Sequence, residues 1–190
     1  IARRHRVPHL FTLGDDRRGT LLEAASRESA RFPTVRSRAE DLAWIGALTG
    51  HGFGSVLLFV ALGAVLTLVL QSSSATATLT LTLAAMGWLP FDLAAALALG
   101  ENVGTTVTAN LAALGATRTA KQAALAHLTF NLVGVCWALV LFNIFLLPAV
   151  DWLVPGDPFV DLNAIPDPVA RAAAGAVIPV HLAAFHTLFN

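Results

Sequence analysis

The stretch Leu70-Gln71-Ser72-Ser73-Ser74-Ala75-Thr76 decides how this chain is read, because its four consecutive polar side chains interrupt fifty residues, Leu42 to Phe91, that carry no charge. One helical membrane span takes roughly 20 apolar residues, so the block holds at least two segments of membrane length. Backbone released from helical bonding cannot face lipid, and a polar break at that depth persists only where protein buries it or water fills a cavity beside it. Composition points the same way: of 190 residues, 56% are hydrophobic and 13% charged, with a mean hydropathy of +0.69. These values argue against a cytosolic enzyme, a nucleic-acid binder and a disordered tail. The single cysteine, Cys136, lies in an apolar run and argues against a disulfide framework or a cysteine metal site.

Working outward from the break, Phe53 to Leu70 reads as one helical run and Ala75 to Leu89 as the next, followed by Asp92 to Leu114, Gln122 to Leu147 and Val169 to Phe189. The third run contains a second polar stretch, Gly100-Glu101-Asn102-Val103-Gly104-Thr105-Thr106, which predicts a broken transmembrane helix. Thr76, Thr78, Thr80 and Thr82 alternate as in a strand, yet an isolated strand could not satisfy its backbone in lipid and no series of alternating segments indicates a barrel. On a helix each of these hydroxyls can bond back to a carbonyl one turn earlier. Such residues serve helix packing first and a polar path second. Five prolines from Pro148 to Pro168 and four aspartates from Asp151 to Asp167 mark an acidic loop that is not helical throughout.

Residues 1–41 differ in kind, with nine arginines against six acids, and read as a separate polar segment ahead of a membrane unit at residues 42–190. Arg118 and Lys121 suggest a cytoplasmic connection and the acidic loop the opposite side; a hairpin entering and leaving on one face would then put the arginine-rich start outside, against that rule. The chain opens on Ile1 and stops at Asn190 in mid-pattern, as a fragment would.

The chemistry open to the two polar stretches follows from their donors and acceptors. Ser72, Ser73 and Ser74 can each donate to an anion oxygen or turn lone pairs to a hard cation, and Gln71 adds a carbonyl and an amide. The serines precede a half-helix whose free N–H groups and positive dipole end favour an anion. Carbonyls ending the preceding helix, with Gln71 and serine oxygens, suit Na+. Asn102, Thr105 and Thr106 extend the donor set, and Gly100 and Gly104 permit close backbone approach. Glu101 is a carboxylate of the kind that at membrane depth is paired, protonated or functional; an interfacial helix-end glutamate, a cation ligand and a coupling group all remain open. His127 in His-Leu-Thr-Phe-Asn is echoed by His186 in His-Thr-Leu-Phe-Asn, as two similarly packed helices would be; both read first as core histidines and second as ion-pathway groups. A serine hydrolase built on Ser73 and His127 lacks an evident carboxylate orienter.

Four motifs in order, Gln71-Ser72-Ser73-Ser74-Ala75, Gly-x-Asn-x-Gly-Thr-Thr at 100–106, Ala126-His127-x-x-Phe130-Asn131 and Phe185-His186-Thr187-x-Phe189-Asn190, resemble the type II sodium/phosphate cotransporters of bacterial kind, from about Ala43 to the end. The resemblance implies an all-α membrane protein that is one inverted-repeat half of a secondary transporter, with a re-entrant hairpin, and specifically the second of two repeats. It implies a phosphate shell of Ser72, Ser73, Ser74, Asn102, Gly104, Thr105 and Thr106, and a sodium shell of Gln71, Ser72, Asn102 and Thr105. It further implies alternating access, a complementary inverted repeat as partner, a lipid bilayer environment in a bacterial inner membrane, no nucleic-acid partner, and transported ions in place of a cofactor. Glu101 stands where many such repeats carry a small residue, so a coupling role does not transfer from the family. A transporter of another small anion, and a half-protein that needs a partner to transport, are the alternatives.

Overall fold

The computed structural model describes residues 47–190; the polar segment 1–41 and the expected boundary beside it lie outside the described residues. Those described form helices and turns without a strand. In chain order they are α1 (Phe53–Leu70), α2 (Ser73–Ala85), α3 (Phe91–Ala112), α4 (Arg118–Leu141), a π-helical turn (Phe142–Leu146), α5 (Leu147–Leu153), α6 (Pro168–Gly175) and α7 (Ile178–Phe189), with short 3-10 turns at Ala113–Gly115 and Leu162–Ala164. Three segments, Phe53–Leu70, Arg118–Leu153 and Pro168–Phe189, are long and apolar enough to cross a membrane. This is an all-α integral membrane protein.

The helices are organised inside out relative to a water-soluble bundle. On α1 the buried stripe is Ser55, Val56, Phe59, Gly63 and Thr67, whereas Leu57, Leu58, Val65 and Val69 are exposed. Small and weakly polar residues inside with large aliphatics outside is the pattern of helices associating in lipid, where apolar surface gains nothing by leaving the solvent. Helix α4 follows suit, with Phe130, Val133, Trp137 and Val140 exposed and Val135 and Ala138 buried. Helix α3 is the exception. Its first turns, including Phe91, Leu93, Ala94, Ala95, Ala96 and Leu97, are buried on every side, which makes it the central helix.

The expected break in α3 is corrected by the structure: the helix runs unbroken from Phe91 to Ala112 through Gly100–Thr106. The glycines there serve a helix crossing. A Cβ on Gly100 would lie 2.0 Å from the Val60 carbonyl oxygen, one on Gly104 2.7 Å from that of Ala64, and one on Gly63 2.1 Å from that of Leu97. Because 60 meets 100 and 64 meets 104, α1 and α3 run parallel with their backbones touching, which the Gly-x-x-x-Gly spacing permits. The hydroxyls of Thr105, Thr106 and Thr108 donate to carbonyls three residues back, at 2.7–2.8 Å, and so stay within the helix.

Two further boundaries differ from expectation. The fourth run begins at Arg118 and continues as helix to Leu153, past Pro148, which was expected to end it. Pro148 lacks an N–H and its ring crowds the carbonyl four residues earlier; the π-helical turn at Phe142–Leu146 widens the helix at that place and absorbs the misfit. The fifth run, expected to be continuous, parts at Ala176–Val177 between α6 and α7, where Pro179 occupies the first turn of α7. At the same level Gly175 lies against α2: an added Cβ would sit 2.5 Å from the Ala85 carbonyl oxygen. Helix α7 then packs on α3, α2 and α5, with Phe185 edge-on to Phe142 and His181 edge-on to Phe91.

Candidate functional site

At the Gln71–Ser74 interruption the helix stops. Gln71 adopts the left-handed conformation, φ 50°, and Ser72 is extended, so the chain reverses and α2 returns beside α1. Why it stops here follows from Ser72, whose Oγ accepts from Ala75 N–H at 3.2 Å; a serine at this position competes with the helical backbone and caps the next helix. The hairpin is tied by Thr67 Oγ1 donating to Thr76 Oγ1 at 3.3 Å. The four α2 threonines each donate to a carbonyl four residues earlier, at 2.7–3.1 Å, as the helical reading expects. Thr76 and Thr80 face inward and Thr78 and Thr82 outward.

Beside the start of α2, Ser73, Ser74 and Ala77 meet Glu101, Asn102 and Thr105 of α3 and His186 of α7 around a cavity of about 230 Å³. Six of the residues singled out in the sequence, Ser73, Ser74, Glu101, Asn102, Thr105 and His186, thus converge on one space. The Asn102 side chain borders this space, and its Nδ2 is buried without a hydrogen-bond partner, the kind of donor that calls for an acceptor. The N-terminal end of α2 adds its dipole. No lysine or arginine lines the space.

Glu101 is 3% exposed, and its Oε1 lies 2.8 Å from Thr80 Oγ1, whose one proton is shared between this carboxyl and the Thr76 carbonyl. Thr80 is a partner that sequence reading left among packing residues; the signal was its place four residues after Thr76 on the inward face. Glu101, His186 and Ala77 also line a neighbouring cavity of about 370 Å³, with Thr80, Ala98, Leu182 and Thr187. The two spaces therefore share a wall. His186, read first as a core group, stands at this wall and is exposed.

The remaining candidates lie elsewhere. Ser72 is the helix cap and pairs with Ser74 Oγ at 3.2 Å. Gln71 lines a separate recess with Thr108 and Leu111. Gly104 is spent on the α1 crossing, and Thr106 is fully buried with its hydroxyl on Val103 O. His127 is exposed on α4; the echo with His186 reappears as Asn131 and Asn190 each donating to the carbonyl of the histidine four residues before, at 3.1 and 3.2 Å. No hydrogen bond joins Ser73 or Ser74 to a histidine among the described residues, and the carboxylate nearest them is engaged by Thr80.

A family model described as Na+/Pi-cotransporter matches residues 38–149. The chain is similar to sodium-dependent phosphate transport protein 2C of Homo sapiens, 41% identical over 104 residues that make up 52% of this chain and 16% of the relative. It is also similar to protein 2B of Homo sapiens, 39% identical over 92 residues (46% and 12%), and to protein 2A of Mus musculus, 34% identical over 120 residues (61% and 17%). The chain thus spans between about an eighth and a sixth of the length of these relatives. No solved structure matches it significantly.

Proposed function

This chain belongs to the Na+/Pi-cotransporter family, a family of transport proteins rather than enzymes, and from that premise we propose that it forms one inverted-repeat half of a sodium-dependent phosphate symporter working by alternating access. Phosphate binds at the start of α2, where Ser73, Ser74 and the amide of Asn102 donate to its oxygens, Thr105 joins them by turning its hydroxyl away from the Asn102 carbonyl, and the helix N-terminus favours the ligand's charge. Ser72 shapes the turn that presents these donors, and Gly104 and Thr106 hold α3 in place behind them. Of the sodium shell Gln71, Ser72, Asn102 and Thr105, the last two offer oxygens at this cavity, and Gln71, on a separate recess, and Ser72, the helix cap, join them by movement of the hairpin. Helices α1 and α2 form the re-entrant hairpin: α2, of 13 residues, is about 20 Å long and shorter than the ~30 Å hydrocarbon layer.

The observation that carries this reading is the convergence of Ser73, Ser74, Thr105 and Asn102, whose Nδ2 is buried and unpartnered, on one cavity that no lysine or arginine lines. Neutral donors hold an oxyanion selectively and release it readily, as a carrier must. Ser73 and Ser74 are exposed on the hairpin, and a complementary inverted repeat facing them completes the shell; the exposed aliphatic and aromatic faces of α1 and α4 meet the lipid. The proposed location is a bacterial inner membrane, on the strength of the motif resemblance. Uptake of radiolabelled phosphate by the full-length protein in vesicles tests the reading. Uptake should require sodium and fall by about 100-fold in Ser73→Ala, as loss of a hydrogen bond to a charged ligand in a closed site implies. Sodium-independent uptake that survives Ser73→Ala would defeat it, and sodium-driven uptake of a different small anion would keep the architecture and reassign the substrate.

A further inference from the structure

Thr78 and Thr82 on α2, and Thr105, Thr106 and Thr108 on α3, give their protons to carbonyls three or four residues back, the usual resting place of a helical threonine. Thr67, one turn before the end of α1, does otherwise. Its Oγ1 donates across the hairpin to Thr76 Oγ1 at 3.3 Å, and Thr76 passes its own proton to the Ser72 carbonyl at 3.1 Å. Both threonines are buried, so water does not compete for either hydroxyl. On its other side Thr67 packs on α3, where a Cβ added to Gly104 would lie 2.6 Å from Thr67 Cβ. One side chain thus joins the three helices that carry the candidate ligands. We infer that Thr67 is a positioning residue, which through Thr76 fixes the Ser72 carbonyl and so aims the donors at the start of α2.

What the relay holds is a peptide plane. The Ser72 carbonyl receives the Thr76 N–H at 3.2 Å as well as Thr76 Oγ1, which occupies both of its lone pairs. In a trans peptide the carbonyl and the following N–H point in opposite directions. With the Ser72 carbonyl turned into α2, the Ser73 N–H is turned out of the helix end, where the first N–H groups have no helical partner. The same plane sets where the Ser73 and Ser74 side chains leave the turn, beside Asn102 and Thr105 at the cavity. Thr67 does not line that cavity and acts only through Thr76. Each hydroxyl has a single proton, so the chain runs one way, from α1 to the hairpin tip. Without its first link the tip gains freedom that a bound anion must remove, and the cost falls on affinity more than on turnover. The inference rests on the symport reading for the identity of the ligand; the relay rests on the hydrogen bonds alone.

Amide hydrogen exchange and radiolabelled phosphate uptake, both on the full-length protein, test the assignment. Thr67→Val keeps the shape and removes the proton. In detergent without phosphate, exchange at residues 72–76 should speed up about fivefold while α4 keeps its wild-type rates, the equivalent of one neutral hydrogen bond. In sodium-driven vesicles the KM for phosphate should rise by about the same factor, with Vmax within about twofold of wild type. Thr67→Ser restores the proton and should return both readings to near the wild-type values. Thr76→Val cuts the relay at its second link and should raise KM at least as far, which preserves a readout if Thr67→Val fails to fold. The double valine variant should go no further than Thr76→Val alone, because the two residues act in series. Unchanged exchange at the tip in either valine variant, a serine variant as impaired as the valine one, or additive effects in the double variant overturns the assignment. Wild-type vesicles that take up no phosphate would defeat the symport reading and leave the exchange comparison to decide the relay.

Discussion

The segments Gln71–Ser74 and Gly100–Thr106 look alike along the chain, each a cluster of small polar residues in an apolar block, and the protein uses them in opposite ways. At the first the helix ends and the chain turns back, although no glycine is present; at the second the helix passes through two glycines without interruption. The difference lies in what the side chains bond to. Ser72 Oγ accepts from a backbone N–H three residues ahead, which substitutes for a helical bond and stabilises the start of a new helix. Thr105 and Thr106 donate backwards to carbonyls already in the helix, which leaves the ladder intact. The glycines are decided by their neighbours: four residues apart and facing α1, they admit another backbone.

The contrast can be broken experimentally, most severely at the crossing. Gly100→Ala would set a methyl 2.0 Å from the Val60 carbonyl oxygen, and because the obstacle is backbone, the helices must separate; a loss of at least about 3 kcal/mol is expected, at the upper end of overpacking costs. Gly115→Ala, with nothing within 4 Å of the added carbon, is the control, and denaturant unfolding in detergent compares them. Equal stabilities would mean that Gly100 is a flexible joint after all. Ser72→Ala should cost about 1 kcal/mol by removing the cap of α2, read as a lowered unfolding midpoint; no change would show that the turn does not depend on the serine. The smallest effect is expected at Gln71→Gly. Relief of the left-handed conformation at φ 50°, partly offset by the greater freedom of glycine in the unfolded chain, should raise stability by about 0.5 kcal/mol, while sodium-dependent uptake falls if the Gln71 side-chain carbonyl is a ligand.

Much of the fold was legible because the signals were local. The bounds of α1, the break after it, and the back-bonding of the α2 threonines follow from hydropathy and hydroxyl chemistry within one or two turns. The continuity of α3 was not legible, since Gly100 and Gly104 allow either a kink or a contact and only the position of α1 decides between them. Pro148 misled for a related reason: the π-helical turn that accommodates it carries no residue type of its own. At the Ala176–Val177 parting, Pro179 was the available signal, but a proline in the first turn of a helix and one in its interior look the same until the start of α7 is known. Of the candidate site, the α2 and α3 residues stand out in the sequence as separate clusters. Thr80 and His186 joined them through the placement of α2 and α7 against α3, which no spacing encodes.

The crossing of α1 and α3 also shapes how this sequence can vary. Glycine is the smallest residue, so at positions 63, 100 and 104 every available replacement adds volume toward a neighbouring backbone oxygen. The contact can be loosened by mutation and never tightened. Drift elsewhere in the bundle can be compensated by trading large side chains for small ones across an interface, but at 63 and 100 the partner surface is main chain and has nothing to give up. The crossing is therefore a one-sided boundary in sequence space, set by main chain that no substitution can shrink.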